Sequence, residues 1–513
     1  MMNMTNIKTP TVLFLLCLLV FSGLWFIYPQ EFIASDPWTY SQQASQFSKS
    51  FNWGTSDVFN HRLAVTLPVS MLYSLCGITI RSTHLWPLIC SLLVMLTVWI
   101  AHSKPEKKVI GIFLCLFSIP LMKASTTLYP DIIATAFMGI STWILFRRDN
   151  YAGTIGRILK PVAAVLFLFI AFLAKESAYW IIPLWIYYAW KDLTHPFQKE
   201  SIKTFYLTAF ITGVILGTGY LIFCNQIWSD PLARFKAIEA LTGHHLWSWH
   251  LDSSASLLKR LTIAPADLLL KTYNPFIIIL FILGLFFDSS ASKPWKFYTM
   301  SCLLFFWFGS TSFSQYEPMP LVERMSLPLL PGIYILATEG LSYLTRQISR
   351  IMKFSSTVVL ILLLTLIGLP FFQYFYSWKT RESDESKALT VIKQDVLTHP
   401  DKRYLLLCSD VRSPDSLSFY FGYQYPENLA VMEFDSVEKI KPFPDDLRVF
   451  VHKERATTLG AMYKTPVYYE QILALGLPLL YQSQNVLAFD CPSTRFNDVF
   501  TLASTLSNPS SHP

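Results

Sequence analysis

The sequence predicts a polytopic α-helical membrane protein of about eleven transmembrane helices, followed by a soluble α/β domain at its C-terminus. Three observations lead there. Of 513 residues only 15% are charged and 52% are hydrophobic. A water-soluble chain carries about a quarter charged residues, so the apolar excess must face lipid. Aromatic residues make up 16% of the chain, which suits lipid-packed helices with Trp and Tyr belts at the interfaces. Apolar residues gather in long runs up to residue 376 and break into short alternating segments beyond it.

The net charge of +7 is unevenly spread: residues 1–376 hold 27 Lys/Arg against 17 Asp/Glu, and residues 377–513 hold 14 against 17. A positive excess confined to the membrane half belongs to cytoplasmic loops and gives no support to nucleic-acid binding. The eight cysteines form no C-x-x-C and no zinc spacing. Cys17, Cys76, Cys90, Cys115 and Cys302 lie in apolar runs and read as small core hydrophobes.

The apolar runs are 11–28, 63–80, 84–101, 109–122, 132–146, 161–174, 178–190, 205–223, 273–287, 297–313, 326–342 and 357–376. The first ends in Trp25-Phe26-Ile27-Tyr28, not in a small-residue cleavage site, and reads as an uncleaved helix. Basic residues set the orientation. Loops 102–108, 147–160, 191–204, 288–296 and 343–356 hold 15 Lys/Arg in 58 residues, against 11 in 128 for the intervening segments. All five basic loops are cytoplasmic, together with the N-terminus, only if one early run does not cross. The run 63–80 contains Pro68, ends at Gly77 and lies between Arg62 and Arg81, so it is expected to lie on the surface. Residues 1–376 then form the membrane domain, with loops 29–83 and 224–272 outside, and 377–513 form an outer α/β domain.

In that tail Arg403–Cys408 and Leu447–Val451 read as strands, and Asp384–Leu397 and Ser416–Tyr423 as helices, a pattern that predicts a partly parallel sheet. It has no G-x-G-x-x-G and no P-loop. Cys408 and Cys491 each end a strand-like run, and a bridge between them would close a long loop in an oxidising compartment.

Charged residues near the outer ends of the runs are the candidates for chemistry. Asp36, in Ser35-Asp36-Pro37-Trp38-Thr39-Tyr40, reads either as a helix cap or as a carboxylate able to take a proton or hold a cation. Asp131, in Leu128-Tyr129-Pro130-Asp131, opens a helix on the same face. Two hard carboxylates there could share a divalent cation, Mg²⁺ or Mn²⁺. Lys175-Glu176 is an ionic pair wedged between apolar runs, functional or a snorkelling Lys at a helix end. His61, Arg62 and Arg324 add positive charge able to grip a phosphate, although Arg324 has Glu317 and Glu323 as nearby partners. Gly243-His-His-Leu-Trp-Ser-Trp-His250 reads as an interfacial loop more readily than as a metal site.

Over residues 10–345 these features, in order, resemble the GT-C class of glycosyltransferases. The likeness is to the branch holding bacterial relatives of protein O-mannosyltransferases and the lipid A aminoarabinose transferase. It is carried by Asp36 followed by Tyr40, by His61-Arg62 before a helix from Pro68 to Gly77, and by Pro130-Asp131. Ala174-Lys175 before Pro183 and Arg324 before Pro328 complete it. Relatives often have a second acid where this chain has Pro37, and the basic position near 62 is often Lys in the aminoarabinose branch. The resemblance implies transfer of a sugar from a polyprenyl-phosphate donor to a lipid, glycan or protein acceptor. It places that chemistry on the periplasmic face of a bacterial inner membrane. It also implies that Asp36 is the catalytic carboxylate and Asp131 its partner at a metal or acceptor site. Tyr40, His61, Arg62, Lys175, Glu176 and Arg324 would contact substrate, with Arg62 and Lys175 facing the lipid phosphate. A transporter or flippase of lipid-linked intermediates, and a non-catalytic scaffold, are the rival readings. Neither sugar, acceptor nor oligomeric state follows from these residues.

Overall fold

The computed structural model describes all residues except 1–7, 29–31, 33–34, 51–52, 55, 150–152, 195–199, 243–253, 288–291, 313, 315, 380–383, 409–412, 434–445, 453–468, 483–485, 492, 497 and 500–513. The His- and Trp-rich segment Gly243–His250 thus lies outside the described residues. The chain divides into two compact units. The first comprises Met1–Tyr28, Ser50–Met71 and His84–Ser377, the second Pro29–Lys49, Leu72–Thr83 and Trp378–Pro513.

The helices in order are α1 Lys8–Ile27, α2 Asp36–Lys49, α3 Leu63–Cys76, α4 Ile80–Ala101, α5 Pro105–Leu116, α6 Ile119–Ser125, α7 Pro130–Phe146, α8 Gly153–Ala174 and α9 Ile182–Leu193. They continue as α10 Glu200–Trp228, α11 Ala233–Thr242, α12 Ser254–Thr262, α13 Ala264–Thr272, α14 Pro275–Phe286, α15 Lys293–Phe308, α16 Leu330–Met352 and α17 Ser356–Lys379. Proline repeatedly stands in the first turn, as in α5, α7, α14, α15 and α16, where its missing N–H costs nothing.

Among the described residues six helices are long and apolar enough to cross a bilayer, or eight if each bent pair counts as one span. The protein is therefore a multi-pass membrane protein, but the expected eleven spans are not reached by this measure. The reason is length. The helices α7, α9 and α15 have 17, 12 and 16 residues, and even α7 rises only about 26 Å against a core of about 30 Å. With 14 residues, α3 spans about 21 Å, too little to cross by itself. The bends have local causes. Between α5 and α6 the chain turns by 62° where the Ser118 hydroxyl caps the Leu121 N–H. Between α13 and α14 it turns by 114° where Asn274 Oδ1 accepts from the Phe276 N–H at 3.0 Å.

The helices α14 and α16 cross backbone to backbone. A Cβ on Gly284 would overlap the Leu336 carbonyl, and one on Gly340 the Leu280 carbonyl. Only glycine permits that approach, the means by which lipid-embedded helices gain contact without a hydrophobic driving force. Glu339, one residue before Gly340, is neutralised by Lys107, with His102 Nδ1 at 3.8 Å.

The second unit is built on a sheet of β1 Tyr404–Cys408, β2 Leu429–Glu433, β3 Asp446–His452, β4 Leu479–Gln482 and β5 Val486–Cys491, in the order β2-β1-β3-β5-β4. The β2-β1-β3 part is parallel and β3-β5-β4 antiparallel. All five residues of β1 are buried, as a continuous apolar run in a strand covered on both faces requires. Leu405 and Leu407 join Val449, Val451 and Phe489 on one face. Tyr404, Leu406 and Cys408 pack on the other against Leu389, Ile392 and Val396 of α18 Asp384–Thr398. Arg448 is anchored by Asp395 at 2.8 Å and Asp490 at 2.6 Å.

This sheet excludes the Cys408–Cys491 bridge that the sequence left open. Strand β3 separates β1 from β5, a gap of about 9.6 Å that exceeds the roughly 7 Å a disulfide tolerates. The two thiols also face opposite sides of the sheet. Both side chains are buried.

Candidate active site

The first unit gathers most of the charged residues singled out in the sequence. Asp131 stands in the first turn of α7, after Tyr129 at the cap and Pro130. It is 1% exposed and its Oδ1 accepts from the Lys175 ammonium, which also lies 2.9 Å from Met325 Sδ. Lys175 follows the last residue of α8 and is buried, so it is not a snorkelling lysine. Burial draws its pKa down, Asp131 opposes this, and Arg324 and Arg62 add to the lowering. Asp131 Oδ2 is buried and makes no hydrogen bond to the described residues.

One residue on, Glu176 opens the 3₁₀ turn Glu176–Ile181. Arg62 reaches its Oε2 at 2.9 Å, and Arg234 reaches its Oε1 at 2.8 Å. Burial by itself would raise the Glu176 pKa, but the two guanidiniums outweigh it and hold the carboxyl at about 2. Arg234 is 1% exposed. It also donates to the carbonyls of Phe172 and, at 3.4 Å, His61, and its guanidinium lies 4.1 Å from the Phe172 ring centre. The sequence reading missed it. The available signal was a basic residue, Arg234, in a loop that the charge distribution reads as external.

His61 is fully buried, with Nε2 3.0 Å from Ser56 Oγ and the Trp228 ring centre 4.1 Å away. Burial and then Arg234 lower its pKa to about 4, against a raising influence of Glu176. It is therefore a neutral imidazole, not the cation the sequence reading allowed. Arg324 lies over the Tyr129 ring at 4.5 Å, while Glu323 pairs with Lys123 at 2.9 Å.

Against this polar cluster lies an apolar groove of about 460 Å³, lined by Phe169, Phe172, Tyr179, Tyr220, Leu232 and Phe235 among others. The lining residues Leu232 and Phe235 flank Arg234 in sequence, and the Arg234 guanidinium packs on the ring of Phe172, itself a lining residue.

Asp36 and Tyr40 belong to the second unit. Backbone N–H groups of Trp38 and Thr39 donate to the Ser35 carbonyl, at 2.9 and 3.4 Å. Ser35 is thus the cap, and Asp36 is the first helical residue, partly buried. The reading of Asp36 as a helix cap is corrected by one position. Tyr40 is fully buried one turn on.

Among the described residues no three His, Cys, Asp or Glu side chains gather into a metal site. The first-unit cluster sets four cations, Arg62, Lys175, Arg234 and Arg324, around the two carboxylates Asp131 and Glu176. That surplus of positive charge suits an anion, and an ammonium already occupies one Asp131 oxygen. The residues around Asp131 do not fit the divalent cation expected there.

These features define a polytopic membrane protein with a buried charged cluster and a C-terminal mixed sheet. Its fold is that of the GT-C class. The chain is similar to ArnT from Cupriavidus metallidurans bound to undecaprenyl phosphate, with a TM-score of 0.56 and 11% identity over 95% of this chain and 99% of that one. It is similar to the same protein in its apo state, with a TM-score of 0.51 and 12% identity over 95% and 98%. The Archaeoglobus fulgidus oligosaccharyltransferase complex with Zn and sulfate gives a TM-score of 0.47 and 13% identity over 88% and 69%. No protein-family model and no curated protein matches the sequence. At these identities the likeness is one of fold.

Proposed function

We propose that this chain is a glycosyltransferase moving a sugar from a polyprenyl-phosphate donor to an acceptor hydroxyl at the periplasmic face of a bacterial inner membrane. The observation that carries the reading is the cation-rich cluster beside an apolar groove. A lipid phosphate needs both, a channel for its chain and positive charge for its headgroup. The fold shared with a protein solved bound to undecaprenyl phosphate supports the same reading.

In this mechanism the groove takes the isoprenoid chain, and the phosphate meets Arg62 and Lys175. As the sugar–phosphate bond breaks, charge collects on the departing phosphate, where fixed guanidinium and ammonium groups stabilise it. The acceptor oxygen bonds to the anomeric carbon as that carbon's bond to the phosphate oxygen breaks, and the hydroxyl proton passes to the Asp36 carboxylate. Asp131 serves by holding the Lys175 ammonium in place. Arg324 adds a further cation to the headgroup site, and His61 and Glu176 set the attitude of Arg62 and Arg234.

The test is mass spectrometry of lipid-linked sugars and surface glycans in cells lacking the protein, complemented with wild type or Asp36→Asn. The donor accumulates and one modification disappears in the deletion. Asp36→Asn accumulates normally but loses about 10²–10⁴ of the transfer rate. An unchanged glycan profile in the deletion refutes the activity, and normal transfer by Asp36→Asn refutes the role of Asp36. EDTA treatment of wild type decides whether Asp36 acts through a metal.

A further inference from the structure

The tail beyond residue 377 has no role in the mechanism above, yet within the second unit it is built onto the helix that carries Asp36. The helix α2 is polar in composition but largely buried: Pro37, Tyr40, Ser41, Gln43, Ala44, Ser45 and Phe47 are all covered. A polar helix gains little by burying itself in this way, so specific contacts must hold it.

Those contacts come from α19 Ser413–Tyr420 and the turn that ends it. The Trp38 indole N–H donates to Ser418 Oγ at 3.0 Å. The Ser418 hydroxyl is itself committed as a donor to the Asp415 carbonyl at 2.8 Å, so its lone pair is aimed at the indole. Phe32, four residues before Asp36, stacks flat on Phe419, with ring centres 3.7 Å apart and planes at 6°. Asp36 thus lies between two anchors, both seated on consecutive residues of one helix.

The end of that helix is shaped to complete the seat. Tyr423 N–H returns to the Ser418 carbonyl at 2.7 Å and Gly422 N–H to the Phe419 carbonyl at 2.9 Å, a Schellman closure. Gly422 takes φ +66°, as that closure requires, but Tyr423 follows at φ +63°. A tyrosine rarely adopts this left-handed backbone, and such strain persists only where the surroundings enforce it. Here it turns the Tyr423 ring against both Trp38 and Phe419, at 6.2 and 5.9 Å. Beneath α2, Ser41 bonds to the Tyr73 hydroxyl, which reaches Thr83 Oγ1 at 2.7 Å.

We propose that Ser418, Phe419 and Tyr423 of the C-terminal domain are positioning residues that hold the Asp36 helix in its working attitude. The proposal rests on the reading of Asp36 as the catalytic carboxylate. A carboxylate acting on a hydroxyl proton must be held to a fraction of an ångström, and small misplacements from remote positions are costly.

The experiment uses full-length variants in cells lacking the protein, compared at matched abundance. Ser418→Ala removes the acceptor for Trp38, while Ser418→Thr keeps a hydroxyl. Ser418→Ala lowers glycan modification by about tenfold to a hundredfold, and Ser418→Thr restores most of it. Trp38→Phe keeps an aromatic ring but removes the N–H, and reproduces the loss should Ser418→Ala accumulate poorly. In purified protein, hydrogen exchange over residues 36–49 rises in Ser418→Ala and not in Ser418→Thr, while binding of added undecaprenyl phosphate is unchanged. Wild-type modification by both Ser418→Ala and Trp38→Phe overturns the seat. Asp36→Asn, measured in parallel, separates the two failures. If it is inactive while those variants are active, only the seat falls; if it is active, the reading of Asp36 falls with it.

Discussion

Replacing Asp131 by Asn should damage the protein through Lys175, and the size of the effect follows from the structure. The pair joins residues 44 apart in sequence, with side chains 1% and 9% exposed. Removing one partner of a buried pair costs about 3–5 kcal/mol, because the remaining charge is left without compensation. The upper end is capped. An ammonium of ordinary pKa near 10.4 can shed its proton at pH 7 for about 4.6 kcal/mol, so the cost cannot much exceed that. Loss of Asp131 removes the influence that opposes burial in lowering the Lys175 pKa. The folded variant then binds fewer protons than the unfolded chain below the ordinary lysine pKa. Its stability therefore rises with pH and falls as pH drops, more steeply than in wild type. Scanning fluorimetry of detergent-solubilised protein between pH 6 and 9 measures this. Asp131→Asn should be most impaired at pH 6 and partly recover by pH 9. The double variant Asp131→Asn/Lys175→Met removes both charges and should regain much of the lost stability without regaining transfer. Equal stability of wild type and Asp131→Asn, or no gain in the double variant, would refute the argument.

Three further outcomes are expected. His61 is held neutral with a pKa near 4 against an ordinary 6.5, so stability is lost as pH falls from 6.5 to 4; His61→Gln should flatten that slope in acid melting curves. Gly340→Ala puts a methyl group into the Leu280 carbonyl and should cost at least about 1–3 kcal/mol, seen as lower yield and melting temperature, with no such effect at open Gly217. Single cysteines at Ser103, Thr154 and Ser349 should resist a membrane-impermeant thiol reagent in intact cells while one at Ser383 reacts; labelling at Ser103 would refute the orientation inferred from the basic loops.

Membrane residence was legible in the sequence because it depends on composition, and lipid sets that requirement for every span alike. The helix beginning at Pro130-Asp131 and the strands ending at Cys408 and in Leu447–Val451 were legible for a related reason. Proline geometry and strand burial act over a few neighbouring residues. Asp131, Lys175, Glu176 and Arg62 were visible as charges out of place beside apolar runs. What local patterns could not supply was partnership. That Lys175 answers Asp131 while Glu176, its neighbour, answers Arg62 and Arg234 depends on how α7, α8 and the segments before α3 and at α11 pack. The same limit explains Cys408 and Cys491, whose separation is decided by β3 entering the sheet between their strands. It also explains Trp38, an ordinary interfacial aromatic in sequence that the fold bonds to Ser418, 380 residues away. Composition and periodicity are properties of a segment, and a buried polar contact is a property of two. Only the tertiary structure brings the second partner into place, and the energy of leaving it out is what makes the pairing specific.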